Sequence, residues 1–336
     1  MKIDRDKLIR WPALPSLVMC IIFFFINVYC TNGFLQKHII LSFLSSNIPL
    51  ICVSMGCACV IISGGMDISL GAIVSLTNVI FVKLNAAGFP LAAQIAICLA
   101  AALLMGLING IVIGLLRVTP LLATYATSTA YAGIALWILP TPAGTVMRSY
   151  CSWYNSWLGG VFPVPLLFAA VIFILWLLIM RTPVKYWVYS TGRHGYKAYV
   201  SAVPVGKTQV FTYMFAGFAA GIASLAISGS TQGGDASVGV SLSMNAIAAC
   251  VIGGIGLAGG IGSVIGSVFG AVFLSLVMFV VSSAHITSIY QSLVKGVILL
   301  VGVLFSIIIE NRLQHEKRRD IKQPLSKPAK GGNADA

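Results

Sequence analysis

The stretch IILSFLSSNIPLICVSMGCACVIISGGMDISLGAIVSLTNVIFVKL, residues 39–84, holds one acidic side chain, Asp67, and one basic side chain, Lys83. Two apolar runs flank a glycine-rich break at 64–71. A charge at the centre of a bilayer costs about 2.5–3.5 kcal/mol on insertion scales, so the stretch reads as membrane helix, break, membrane helix. The pattern extends outward. Between His38 and Glu310 the only acids are Asp67 and Asp235. Apolar residues make up 58% of the chain and charged ones 9%, a balance that a water-soluble domain does not sustain.

A helix needs about 20 apolar residues to cross the hydrocarbon core. Ten runs qualify, at roughly 12–30, 39–62, 68–84, 91–114, 120–139, 163–180, 208–228, 243–257, 262–283 and 290–309. The third and eighth are short or glycine-interrupted, so the count expected is eight to ten. The fold class is an all-α polytopic membrane protein. Its parts are a cytoplasmic segment (1–11), a transmembrane domain (12–309) with a basic loop at 181–207, and a charged, disordered cytoplasmic tail (310–336). Lysine and arginine set the orientation. With both termini in the cytoplasm, the inside holds the N-terminal cations, Arg117, the basic loop and the tail, whereas the outside holds only Lys37, Lys83 and Arg148.

The net charge of +13 does not point to nucleic acid, because the cations follow topology and gather on no soluble domain. The eight cysteines fall almost wholly in apolar runs, where cysteine acts as a small hydrophobe. The N-terminal run lacks a small-residue cleavage site before a soluble domain and reads as a retained anchor helix. Glycine at every fourth residue, Gly106, Gly110 and Gly114 and again Gly262, Gly266 and Gly270, predicts helix faces that pack closely. Gly254-Ile-Gly256-Leu-Ala-Gly259 fits a dinucleotide pattern but lies between spans, so it is no cofactor site.

In the break Gly64-Gly65-Met66-Asp67-Ile68-Ser69-Leu70-Gly71, the glycines end one helix and Asp67 is expected to cap the next. Irregular backbone at membrane depth also lines translocation paths. GGMDISLGAIVSL resembles the GG-[IM]-D-[LI]-S-[VL]-G signature of permease subunits of ribose/xylose/arabinose-type ABC sugar importers. GLINGIVIGLLRVTPLLAT (106–124) and DASVGVSLSMNAIAACVIGGIGLAGGIGSVIGSVFGA (235–271) resemble two further family segments in the same order. The likeness spans about 50 to 305.

The resemblance implies a permease of the bacterial inner membrane, without catalytic residues of its own. Its partners would be a cytoplasmic ATPase subunit carrying ATP and Mg, an extracytoplasmic sugar-binding protein and a second permease subunit. It also implies that a helix at Gly192–Val203 docks on the ATPase, with Arg193, His194, Gly195, Tyr196, Lys197, Ala198 and Tyr199 as the coupling segment. The family's G-x-N-x-x-A-A flavour is replaced there. As one helix, this segment would pair Ala198 with Ala202 and Tyr199 with Val203.

A sugar path needs hydrogen-bonding groups that bind weakly. The candidates are Asn47, Asn78, Asn109, Thr124, Thr127 and Asn245, with Gln291 a further intramembrane amide. Asp235 and Arg148, in outward loops, are candidates for docking the binding protein. Three rival readings remain. A permease for branched-chain amino acids or nucleosides shares the fold. An ion-coupled transporter would need a buried acid, for which only Asp67 qualifies. A membrane enzyme would need clustered His or acids, whereas His38, His194, His285 and His315 are spread apart.

Overall fold

The computed structural model describes residues 13–31 and 33–283, together with 290, 293, 296, 297 and 300. The N-terminal segment 1–11, most of the expected span 290–309 with Gln291, and the tail 310–336 lie outside the described residues. The described chain is helical but for one small hairpin. The helices are α1 (Leu14–Cys30), α2 (Lys37–Ile62), α3 (Leu70–Ala86), α4 (Leu91–Gly114), α5 (Pro120–Ile138), α6 (Arg148–Tyr154), α7 (Pro165–Met180), α8 (Val184–Arg193), α9 (Gly195–Val200), α10 (Val205–Thr231), α11 (Leu242–Ile252) and α12 (Val264–Ser283). The hairpin pairs β1 (Trp157–Leu158) with β2 (Phe162–Pro163) antiparallel, Trp157 opposite Pro163.

Nine of the ten expected runs coincide with a helix, and five of these are long and apolar enough to cross a membrane. Proline opens α5 and α7, where its missing N–H is no loss. α7 and α8 meet at 88°, because Pro183 disfavours helix at the residue before it. The two runs expected to be short are so. α3 has 17 residues and α11 has 11, lengths of about 25 and 16 Å at 1.5 Å per residue.

α10 lies at the centre, packed on α2, α3 and α4, and α12 packs on α1, α2 and α11. The α4 glycines act as the sequence predicts. A Cβ at Gly106 would lie 2.5 Å from Tyr213 O, one at Gly110 2.7 Å from Val210 Cα, and one at Gly114 2.5 Å from Gly206 O, so three turns of α4 rest directly on the α10 backbone. The second stripe needs correcting. Gly262 has φ +111° and lies before α12 begins, leaving only Gly266 and Gly270 on the helix.

Among the basic groups, Arg117 and Lys207 lie at one end of the bundle and Lys37 at the other. Arg117, Lys207, Tyr196 and Tyr199 line one open groove of about 860 Å³. At the far end, Lys37 Nζ donates to Gly160 O at 3.3 Å and lies 5.9 Å from the Trp157 ring. Asn85 there donates to Thr145 O at 2.7 Å.

Two halves of the chain repeat one plan. α2, α3 and α4 are followed 168 residues later by α10, α11 and α12, and Asp67-x-Ser69-x-Gly71-x₃-Ser75 recurs as Asp235-x-Ser237-x-Gly239-x₃-Ser243. The copies run antiparallel and cross at Gly71 and Gly239. A Cβ on either glycine would overlap the other's carbonyl oxygen. The bonds at the crossing are reciprocal: Gly71 N–H donates to Ser243 Oγ at 2.7 Å, and Gly239 N–H donates to Ser75 Oγ at 2.9 Å.

Candidate translocation and coupling site

The break at 64–71 is held from three directions. Its first turn closes on α2, with Gly65 N–H donating to Val60 O at 3.0 Å, and Gly64 takes φ +82°, a conformation open to glycine. Asp67 does not cap the first turn of α3 as expected. Its Oδ1 accepts the N–H and hydroxyl of Ser69 at 2.8 and 2.6 Å. Ser69 is itself the N-cap residue, and the free N–H of Gly71 is satisfied across the bundle by Ser243. The crossing is the physical reason: the second repeat supplies the cap that a lone helix would seek locally.

Polar groups converge on this break from other helices. Tyr213 of α10 donates to Met66 O at 3.1 Å, Ser243 donates to Ile68 O at 2.6 Å, and Asn109 Nδ2 of α4 donates to Ser69 Oγ at 2.7 Å. Thr124 Oγ1 of α5 accepts the Ile68 N–H at 3.3 Å. Two path candidates, Asn109 and Thr124, thus meet the signature motif. Asn78 belongs to the other break. Its Nδ2 donates to Ser228 Oγ at 2.8 Å and Gly233 O at 3.3 Å, and its Oδ1 accepts the Asp235 N–H at 2.9 Å.

The remaining candidates are not gathered. Asn47 donates to Phe43 O of its own helix at 2.7 Å, and Thr127 to Thr124 O at 3.2 Å. Asn245 is buried on α11. Asp235 folds back on Ser237, its Oδ1 accepting the N–H at 2.8 Å and the hydroxyl at 2.6 Å. Arg148 is exposed at the start of α6, in a loop that pairs Ala143 with Gly234 beside Asp235. Asn78→Ala should cost about 2–3 kcal/mol, because Asn78 is fully buried and its loss leaves the buried Ser228 hydroxyl and two backbone groups without that partner, whereas Asn47→Ala should be nearly neutral. Thermal melting of the two variants in detergent checks the difference.

The coupling segment also needs correcting. It is not one helix over 192–203. α8 ends at Arg193, His194 turns the chain at φ −159° and ψ 85°, and α9 ends at Val200, with Ala202 at φ +60°. Ala202 and Val203, the expected partners of Ala198 and Tyr199 one turn on, therefore lie beyond the end of the helix. Ala198 is buried, and the apolar face that α9 leaves open is Tyr196, Tyr199 and Val200, with exposures of 82%, 65% and 69%. Tyrosines at i and i+3 carried this signal in the sequence, but the assumed single helix obscured it.

Behind α9 lies a contact that spacing alone did not show. The end of α8 packs backbone to backbone on the end of α2 and on the loop between α11 and α12. Gly260 N–H donates to Ile62 O at 2.8 Å. A Cβ at Gly192 would overlap that oxygen and lie 2.6 Å from Gly260 N, and one at Gly259 would lie 2.8 Å from Gly64 Cα. Gly192, Gly259 and Gly64 thus join the exposed α8–α9 elbow to the first residue of the break with no intervening side chain. Rigid backbone contacts of this kind transmit displacement with little loss.

Known proteins with similar sequences are permeases. The chain is 28% identical over 258 residues to the ribose import permease protein RbsC of Haemophilus influenzae, covering 75% of this chain and 80% of the relative. It is 29% identical over 262 residues to the galactofuranose transporter permease protein YtfT of Escherichia coli, covering 75% and 77%. It is 30% identical over 284 residues to the autoinducer 2 import system permease protein LsrD of Photorhabdus temperata, covering 81% and 85%. No solved structure matches. The relatives and the apolar helices make this a multi-pass protein of the inner membrane. Residues 39–303 match the model of one family, and the chain belongs to it: the permease component of the branched-chain amino acid transport system.

Proposed function

We propose that this chain is the membrane-spanning subunit of an ATP-binding-cassette importer for a monosaccharide or similarly small polyol. An extracytoplasmic binding protein delivers the substrate, and ATP hydrolysed on a partner subunit drives the cycle. The observation that carries the reading is the glycine contact between the α8–α9 elbow and the GGMDISLG break. Closure of the ATPases moves the elbow, and the elbow bears on Gly64, at the head of the break whose residues 66–69 meet polar groups of four helices. Each state of the path is then favoured by a different ligand, as any driven switch requires. Arg148 offers an exposed charge to the binding protein at the far end. A second permease subunit completes the path. The sugar class is supported by the signature motif and by the names of the ribose and galactofuranose relatives. The family's own description favours branched-chain amino acids as a second reading.

Uptake into vesicles bearing this chain with its ATPase and binding protein tests the assignment. Pentoses and hexoses should compete with the labelled substrate, and leucine should not; competition by leucine alone would select the second reading. Tyr196→Ala with Tyr199→Ala should lower ATP-driven uptake about tenfold or more, the loss of one interface anchor pair. The doubly substituted chain should still insert and melt normally, since both side chains face outward. Unchanged uptake would remove α9 from the coupling role.

A further inference from the structure

Asp67 and Asp235 hold equivalent places in the two repeats and make the same turn, with the same two distances of 2.8 and 2.6 Å to the serine two residues on. Their surroundings differ. Asp235 is half-buried, whereas Asp67 is fully buried and its Oδ2 has no hydrogen-bond partner among the described residues. Asn109 is equally buried, and its Oδ1 also lacks a partner. The Ser69 hydroxyl links the two side chains, 2.6 Å from Asp67 Oδ1 and 2.7 Å from Asn109 Nδ2. Two bare acceptors therefore sit on one serine, in a place where an unpaired buried charge is costly.

The neighbouring donors are already committed. Tyr131 of α5 donates to Met105 O at 3.2 Å, and Tyr213 of α10 to Met66 O at 3.1 Å. Thr124 donates to Pro120 O at 2.9 Å, and Ser243 of α11 to Ile68 O at 2.6 Å. The Gly71 N–H, which could have served a carboxylate at the start of α3, goes to Ser243. On α8, Arg193 is exposed, and no basic side chain pairs with Asp67 among the described residues.

One hydrogen satisfies both orphans. We infer that Asp67 is a proton-binding site: the carboxyl is held as the neutral acid, and its Oδ2–H donates to Asn109 Oδ1 directly or through one trapped water. A charged carboxylate bridged by water would remain unneutralised. A hard divalent cation takes about six to eight oxygens, several more than the two that are free. The inference concerns the resting protein and stands apart from the substrate proposed above. Opening of the cluster to water during any cycle would release this proton.

Infrared spectroscopy of the full chain in lipid nanodiscs tests it. The spectrum should show the carbonyl stretch of a protonated carboxyl that is lost in Asp67→Asn and kept in Asp235→Asn. Asp67→Asn should melt within about 2 °C of the wild type, because its amide replaces the acid as donor. If Asp67→Asn does not assemble, Asn109→Leu serves instead: removing the acceptor should shift the band to higher frequency. A spectrum with no such band, or a band unmoved by Asn109→Leu, would overturn the inference. So would a melting temperature that rises when sodium replaces choline in wild type but not in Asp67→Asn.

Discussion

Replacing Gly192 by valine should abolish ATP-driven uptake. The first Cβ overlaps Ile62 O, and the branched methyls have nowhere to go between α2, α8 and the 254–262 loop. The Gly260–Ile62 hydrogen bond lies directly beneath and must break. Overpacking contributes about 1–3 kcal/mol and the broken bond about 1, so the elbow separates from the break at a cost of about 2–4 kcal/mol. Uptake should fall more than tenfold. Gly195→Ala, three residues on, is the control: its Cβ meets nothing within 4 Å, so uptake and melting should be unchanged. Equal loss in both variants would mean that the elbow tolerates no change anywhere, and the Gly192 packing would have no specific role.

Gly71→Ala and Gly239→Ala should each lower the melting temperature by several degrees, and the double variant should fall by less than the sum. Each Cβ overlaps the other's carbonyl oxygen, so the first substitution already forces the two segments apart. Separation also strains the Gly71–Ser243 and Gly239–Ser75 bonds. A crossing already forced open cannot be forced open a second time, which is the condition for non-additivity. Gly133→Ala on α5, which meets nothing within 4 Å, should be silent. Strict additivity of the pair would show that the crossing is not one unit.

Much of this was legible in the chain. The span positions follow from apolar run length, because hydrocarbon tolerates neither charge nor unpaired backbone, and nine of ten runs meet a helix. The α4 stripe at Gly106, Gly110 and Gly114 was readable because a four-residue period places small residues on one face. The break at 64–71 stood out as polar residues and glycine amid apolar sequence. The second break went unrecognised as its repeat. Asp, Ser, Gly and Ser match in the two copies while the apolar residues between them differ, so four short positions over nine residues carried the signal. The coupling segment was placed but misdrawn, since nothing local announces that His194 leaves helical dihedrals.

The sequence by itself determined the class of molecule, its apolar helical runs and the motif where chemistry concentrates. These depend on each residue's cost of transfer into hydrocarbon, a property that sums along the chain. Only the tertiary structure decided which polar groups meet: Ser243 capping α3, Asn109 reaching Ser69, Asn78 holding the Asp235 turn, and Gly192 resting on Ile62 and Gly260. Those pairings join residues 40 to 172 positions apart. Their partners are chosen by which backbones can approach closely enough, and that is fixed by the packing of the whole bundle.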